Sequence, residues 1–176
     1  LDGQFAPWVG ALISDIQHNI LVVAAEGREE ESIKRLARVG YDRVLGFLEG
    51  GFASWQSEKR EFDTVKRINA DELAAVCSSN PAAVVLDVRK TSENYSERLP
   101  SAVNLPLDNL NVRFNELPEA DTLYIHCAGG YRSMIFASIL KSRGVHNIVD
   151  VRGGFGAIKN AGLQEVTAYV CPSTML

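Results

Sequence analysis

The chain has 176 residues, of which 46% are hydrophobic and 23% charged, and its formal net charge is −4. This composition is ordinary for a globular protein and allows one or two small domains. The sequence has no apolar stretch near the roughly 20 residues of a membrane span, no signal-peptide pattern at its start, and no clustered Lys/Arg face to attract nucleic acid. We therefore expect a cytoplasmic protein that binds neither nucleic acid nor a membrane.

The sequence contains two similar segments. Residues 20–55 and residues 122–158 both run strand, short loop, helix, glycine, strand and then Gly-Gly-Phe. The Gly-Gly-Phe sequences begin at Gly50 and Gly153, and apolar positions agree between the two segments. Such self-similarity predicts a repeated structural unit.

The second segment is preceded by a further predicted strand and helix, whereas the first segment is not. We predict an incomplete first unit over residues 1–62, a complete domain over 67–176, and a charged linker near 61–67. The start of the chain, LDGQF at 1–5, matches LDNL at 107–110, so we expect the chain to begin midway through its first unit.

The elements of the second unit predict an α/β fold. Asn69 followed by Glu72 has the spacing of a capping box and predicts a helix over about 70–78. Apolar periodicity predicts another helix over 132–143, with Gly144 as its C-cap. Strands that alternate with such helices form parallel sheets. The β-branched runs that predict the strands lie at 84–88, 123–126 and 147–151.

The segment HCAGGYRS, residues 126–133, places a thiol at the carboxyl end of a predicted strand. The loop from Cys127 to Arg132 has six residues, and Gly129 and Gly130 allow several backbone N–H groups to turn toward the sulfur. The following helix N-terminus favours the thiolate form. The pattern therefore predicts a nucleophilic Cys127, and the alternative is a small buried hydrophobic residue.

The other cysteines and the histidines give weaker signals. Cys77 lies in a helical pattern without glycines, so packing explains it, and Cys171 in the tail is either incidental or a resolving thiol. The three histidines are far apart in the sequence, and we predict no metal site. His126 adjoins Cys127 on a strand, where neighbouring side chains point to opposite faces, so we do not expect it to act as a base.

The loop CAGGYRS resembles the CxxGxR[ST] active loop of rhodanese-type sulfurtransferases, and the resemblance extends over residues 67–163. Three further segments resemble that family's "DVR", "EY" and "PGAxNIPL" sequences: LDVR at 86–89, SENY at 92–95 and PSAVNLPL at 100–107. The resemblance implies a rhodanese-like parallel β-sheet flanked by helices on both faces, with a second, incomplete copy.

The resemblance also implies a reaction. The Cys127 thiolate would take a sulfane sulfur from a small donor, thiosulfate or a thiol persulfide, and pass it to cyanide or a thiol, without a cofactor. Phosphatases and arsenate reductases of similar fold use a longer loop, so the six-residue loop favours sulfur. A third hypothesis is a non-catalytic docking or sulfur-relay module.

The resemblance assigns roles to residues around Cys127. Arg132 either attracts anionic donors or braces the loop by pairing with a carboxylate such as Asp87 or Glu93. Ser133 would cap or solvate the helix start, or else take a catalytic role, and Tyr131 would line the donor pocket or shield the loop. The persulfide-binding loop comprises Ala128, Gly129, Gly130, Tyr131, Arg132 and Ser133, and the supporting residues are Asp87, Arg89 and Glu93.

The sequence departs from the family pattern in three places. Arg98 and Ser101 replace the histidine and glycine of "GHIPGA", which predicts an altered entrance, and the uncharged loop residues 128–131 favour a thiol persulfide donor over thiosulfate. Where Cys127 stands, the first unit has Ala24 or Ala25, which cannot carry sulfur. Such a pair resembles the C-terminal part of fusions with a metallo-β-lactamase-fold hydrolase, so an N-terminal hydrolase domain is an expected partner.

Overall fold

The computed structural model describes residues 5–171. The chain divides into two compact units at residues 63 and 64. Residues 1–4, which carry most of the predicted LDGQF match, lie outside the described residues. Within the described part of the chain, no helix is long and apolar enough to span a membrane.

The first unit is a two-stranded parallel sheet with helices. Its core consists of Val22, Leu36 and Tyr41, and Phe5 and Val9 of the first helix pack against it. That helix was not predicted from the sequence. The elements are α1 (Phe5–Leu12), β1 (Ile20–Val22), α2 (Glu29–Ala37), β2 (Val44–Phe47) and α3 (Gly51–Ser57), and β1 pairs with β2.

The second unit contains a five-stranded sheet in the order β3-β7-β6-β4-β5, with every neighbouring pair parallel. Parallel order brings the carboxyl ends of the strands to one edge, where loops lead into helices. Its elements are β3 (Lys66–Ile68), α4 (Ala70–Ser79), β4 (Val84–Asp87), α5 (Thr91–Ser96), β5 (Val103–Asn104), α6 (Leu110–Arg113), β6 (Leu123–His126), α7 (Tyr131–Ser142), β7 (Ile148–Val151) and α8 (Gly154–Ala161), with 3₁₀ turns at Leu107–Asn109 and Phe114–Glu116.

Helices cover both faces of this sheet. On one face, Val85 of β4 packs in a core cluster with Leu73 of α4 and Ile158 of α8. The alternate strand residues Leu86 and Ile125 are also fully buried, and α7 contacts β6 and β7. Since side chains alternate across a strand, these residues face the opposite side. The predicted α/β fold, a parallel sheet flanked by helices, is confirmed.

Two local predictions had different outcomes. The capping-box prediction is confirmed, because α4 begins at Ala70 and the backbone N–H of Asn69 donates to Glu72 Oε2 at 2.7 Å. The linker prediction over 61–67 is wrong in its last part, because Lys66–Ile68 forms β3 and pairs with β7. This edge strand needs only one buried apolar residue, Ile68, so its sequence lacks the usual strand signal.

Candidate active site

Cys127 follows the last residue of β6 and is buried, with 1% of its surface exposed. The backbone N–H of Gly130 donates to its Sγ at 3.1 Å, and Ser133 Oγ lies 3.5 Å from the same sulfur. Gly130 has a φ of +102°, a conformation that glycine adopts without steric cost. Helix α7 begins at the next residue, Tyr131. The sulfur therefore lies in a loop that turns backbone and hydroxyl groups toward it.

The N-terminus of α8 holds this loop from behind. The N–H of Phe155 donates to the Cys127 carbonyl at 2.6 Å, and the N–H of Gly156 donates to the Ala128 carbonyl at 3.1 Å. Gly154 packs so closely that a Cβ there would lie 2.2 Å from the Cys127 carbonyl oxygen. These bonds fix two carbonyls of the loop, in which the Gly130 N–H is directed at the sulfur.

Arg132 is paired with Glu93, one of the two carboxylates that the sequence had suggested. Its Nη1 and Nη2 lie 2.5 and 2.8 Å from the two Glu93 carboxylate oxygens, which is a bidentate contact between α7 and α5. This hydrogen bonding lowers the pKa of Glu93, against a smaller opposing effect of burial, and raises the pKa of Arg132. The guanidinium thus braces the first turn of α7.

Asp87 and Arg89 form a separate buried pair. Arg89 Nη2 donates to Asp87 Oδ2 at 2.6 Å, and Asn94 Nδ2 donates to the same oxygen at 2.9 Å. Burial raises the pKa of Asp87, but the hydrogen bonds from Arg89 and Asn94 and the charge of Arg89 outweigh it, so the pKa is lowered. Neither Asp87 nor Arg89 contacts Arg132 in the described hydrogen bonds, so they support β4 and α5.

His126 belongs to this buried network. Its Nδ1 lies 3.9 Å from Asp87 Oδ1, and its ring stacks on Phe155 with centroids 6.0 Å apart. Burial lowers the pKa of His126 and favours the neutral ring. The Arg89 guanidinium lies 3.9 Å from the centre of the same Phe155 ring. Phe155 therefore packs between the loop and the charged network.

The loop surface is exposed although the sulfur is not. Ala128 and Gly129 are exposed, and Tyr131 is 66% exposed. Cys77 packs against the core cluster of α4 and α8, and Cys171 is exposed. Over residues 5–171, no group of three or more His, Cys, Asp or Glu side chains is placed to hold a metal ion.

The structure adds site residues that the sequence analysis did not identify. Gly154 and Phe155 belong to the Gly-Gly-Phe sequence that begins at Gly153 and also occurs at Gly50. Asn94 lies inside the SENY segment. Arg67 and Asp150 form an ion pair between β3 and β7, with Arg67 Nε 2.8 Å from Asp150 Oδ2, and no local pattern marks it.

A glycine of the first unit approaches the backbone after a strand in a similar way. Gly51 packs on the chain after β1, and a Cβ there would lie 2.2 Å from the Ala24 carbonyl oxygen. Gly51 has a φ of +57° and Gly154 a φ of +56°. The approach of Gly51 to the Ala24 carbonyl is thus as close as that of Gly154 to the Cys127 carbonyl. A cavity of about 400 Å³ in the first unit is lined in part by Ala24, Arg28 and Ser32.

The fold and site of the second unit define a parallel α/β domain with a cysteine in a glycine-containing loop before a helix. The family model described as the rhodanese-like domain matches residues 69–161, more than half of the chain. The chain belongs to the rhodanese-like domain family.

Three comparisons illustrate the similarity. A protein named sulfurtransferase from Allochromatium vinosum is 26% identical over 102 residues, which cover 58% of this chain and 95% of the relative. A rhodanese-related protein from Thermoplasma volcanium is 30% identical, with a TM-score of 0.52 over 58% of this chain and 97% of that one. A thiosulfate sulfurtransferase from Pseudomonas aeruginosa is 24% identical, with a TM-score of 0.52 over 95% of this chain and 36% of that one, a likeness of fold alone.

Other relatives are longer than the matched region. The chain spans about half the length, 49% and 53%, of two curated relatives from Bacillus subtilis and Synechocystis, to which it is 31% and 34% identical. The name of the Bacillus protein describes a sulfur carrier.

Proposed function

We propose that the second unit is a sulfurtransferase that carries sulfane sulfur as a Cys127 persulfide. The observation that carries the proposal is the Gly130 N–H at 3.1 Å from Sγ, at the start of α7. Backbone donors fixed around a sulfur stabilise its anionic form without reorganisation during the reaction. The sulfurtransferase names among the relatives support the same reaction class.

The transfer takes two balanced steps. The Cys127 thiolate attacks the outer sulfur of thiosulfate or of a thiol persulfide, the donor S–S bond breaks, and sulfite or a thiolate leaves with the bonding electrons. The product is the Cys127 persulfide anion. A cyanide ion or a thiolate then attacks the outer sulfur, the Cys127 S–S bond breaks, and the original thiolate returns with thiocyanate or a new persulfide as product.

A donor screen tests this proposal. Purified protein is given thiosulfate, glutathione persulfide or mercaptopyruvate with cyanide, and thiocyanate is measured. We expect turnover with at least one donor and none in Cys127→Ser, while Cys77→Ser serves as the matched control and keeps turnover. Turnover that persists in Cys127→Ser would overturn the proposal. Phosphatase or arsenate reductase activity without sulfur transfer would favour the alternative reaction class.

For the first unit we propose a degenerate rhodanese-like copy that has a structural or docking role. The matching approach of Gly51 to Ala24 and of Gly154 to Cys127 supports the pairing of the two units. Alanine has no nucleophilic atom, so this copy has no sulfur chemistry of its own. We expect Ala24→Cys to gain a thiol that reacts with a sulfane donor, because the local backbone matches. A cysteine at position 24 that never accepts sulfur would contradict the pairing.

Two broader predictions belong to the same proposal. The predicted fusion to a metallo-β-lactamase-fold hydrolase would be tested by sequencing the reading frame that encodes this chain. The cytoplasmic location would be tested by cell fractionation with an antibody against the second unit. A docking or relay role in such a fusion would require that the hydrolase product supplies sulfur to Cys127 or takes sulfur from it.

A further inference from the structure

A second arginine lies beside the active-site loop, on the edge strand β3. Arg67 is the register partner of Asp150 in β7, and its Nε donates to Asp150 Oδ2 at 2.8 Å. Asp150 is fully buried, whereas 37% of the Arg67 side chain is exposed. The buried carboxylate therefore anchors one side of the guanidinium while the other side reaches solvent.

The free side of this guanidinium faces the loop. Arg67 Nη2 lies 3.7 Å from the position that a Cβ on Gly130 would occupy, and Gly130 is the residue whose N–H donates to Cys127 Sγ. Only the Nε of Arg67 has a hydrogen-bond partner among the residues that the structure describes. Arginine carries five N–H donors in a planar fork, so both Nη groups are available to a ligand.

Two other arginines near the loop, Arg132 and Arg89, are already engaged. Arg132 is bound by both oxygens of Glu93, and Arg89 is bound by Asp87 and by the Glu97 carbonyl. The loop residues between Cys127 and Arg132 carry no charge. Arg67 therefore offers an anionic donor two Nη groups that no side chain of the described residues engages.

We propose that Arg67 is a specificity-determining residue that binds the anionic group of the sulfur donor. The inference rests on the proposed sulfur transfer at Cys127. With thiosulfate, the Arg67 Nη groups would hold the sulfonate oxygens, while the Cys127 thiolate attacks the outer sulfur and sulfite leaves. With a thiol persulfide, they would hold a carboxylate of the donor, and the thiolate leaves.

The test compares Arg67→Gln with the native protein on a charged and an uncharged donor, thiosulfate and dimethyl trisulfide. Loss of a charge-assisted hydrogen bond at a partly exposed site should lower kcat/KM for thiosulfate about tenfold. The value for dimethyl trisulfide should stay within about twofold. Arg113→Gln is the matched control, because Arg113 is also an arginine paired with a carboxylate, Glu116. An equal loss for both donors, or no loss, would overturn the inference.

A second measurement does not depend on turnover. Cys127 is alkylated with anionic iodoacetate and neutral iodoacetamide, and the ratio of the two rates is compared between variants. The rate with iodoacetate divided by the rate with iodoacetamide should fall several-fold in Arg67→Gln and recover in Arg67→Lys. In the native protein, added salt should slow iodoacetate but not iodoacetamide. An unchanged ratio overturns the role of Arg67, whereas a changed ratio in a protein without sulfur transfer retains it and removes the proposed function.

Discussion

Gly154→Ala should disable the active site through its backbone, without touching any polar side chain. An alanine Cβ at this position would lie 2.2 Å from the Cys127 carbonyl oxygen and 2.8 Å from the Ala128 carbonyl group. Relief of the first contact requires a backbone shift of roughly 1 Å, and a displacement of that size can lower the rate of a positioned reaction about 100-fold. We expect a comparable loss of kcat/KM for sulfur transfer.

The stability cost has two parts. A left-handed φ of +56° costs a non-glycine residue roughly 1–2 kcal/mol, and the forced contact adds about 1–3 kcal/mol. Gly144→Ala is the matched control, because Gly144 has a φ of +86° and nothing within 4 Å of an added Cβ. The Gly144→Ala control should lose only the stability that the left-handed φ costs, and it should keep full activity. Equal stability and equal activity of the two variants would refute the reasoning.

The first unit offers a second control. Gly51→Ala creates the same 2.2 Å contact, but with Ala24. Both tryptophans of the chain, Trp8 and Trp55, lie in the first unit. Urea unfolding followed by tryptophan fluorescence should therefore report a destabilised first unit in this variant. Alkylation of Cys127 in urea reports the second unit, which should respond to Gly154→Ala and not to Gly51→Ala.

Three further predictions concern the thiol and its brace. A sulfane donor should add the mass of one sulfur to the Cys127 peptide, and cyanide should remove it; mass spectrometry that places the adduct on Cys77 or Cys171 would contradict this. Arg132→Ala should slow transfer from charged and neutral donors alike, because the first turn of α7 loses its bond to Glu93; a loss confined to charged donors would contradict bracing. The folded-state pKa of Glu93 lies below its ordinary value of 4.5, so the stability that its pairing with Arg132 adds to the fold is complete above about pH 4.5. This stability is lost as the pH falls through the folded pKa. Urea unfolding at a series of pH values should show the loss, and Glu93→Gln should lack it.

Much of the loop around Cys127 was predictable because its sequence signals are local. The strand over 123–126 was predicted with its observed bounds, since a short apolar run before glycines has few alternatives. Helix α7 begins one residue before the predicted start and ends one residue before the predicted end. The position of Cys127 between these elements followed from chain order alone.

The contacts that position the loop were not predictable in the same way. The sequence offered two carboxylates for Arg132, and Glu93 lies 39 residues away in the chain. Only the packing of α5 beside α7 decides between them. The role of Gly154 likewise depends on how closely α8 approaches the end of β6, although the repeated Gly-Gly-Phe sequence had marked the position.

By itself, the sequence predicted the candidate nucleophile and the loop that surrounds it, and it determined the parallel α/β class. Strand and helix periodicity and glycine freedom act within a few residues. The tertiary structure alone decided which charges meet. Arg67 and Asp150 are 83 residues apart and pair because β3 lies next to β7 in the sheet. An edge strand with two charged residues and one buried isoleucine carries too little apolar periodicity to be recognised. Its pairing with β7, and the place of Arg67 next to Gly130, therefore depend on the assembled sheet.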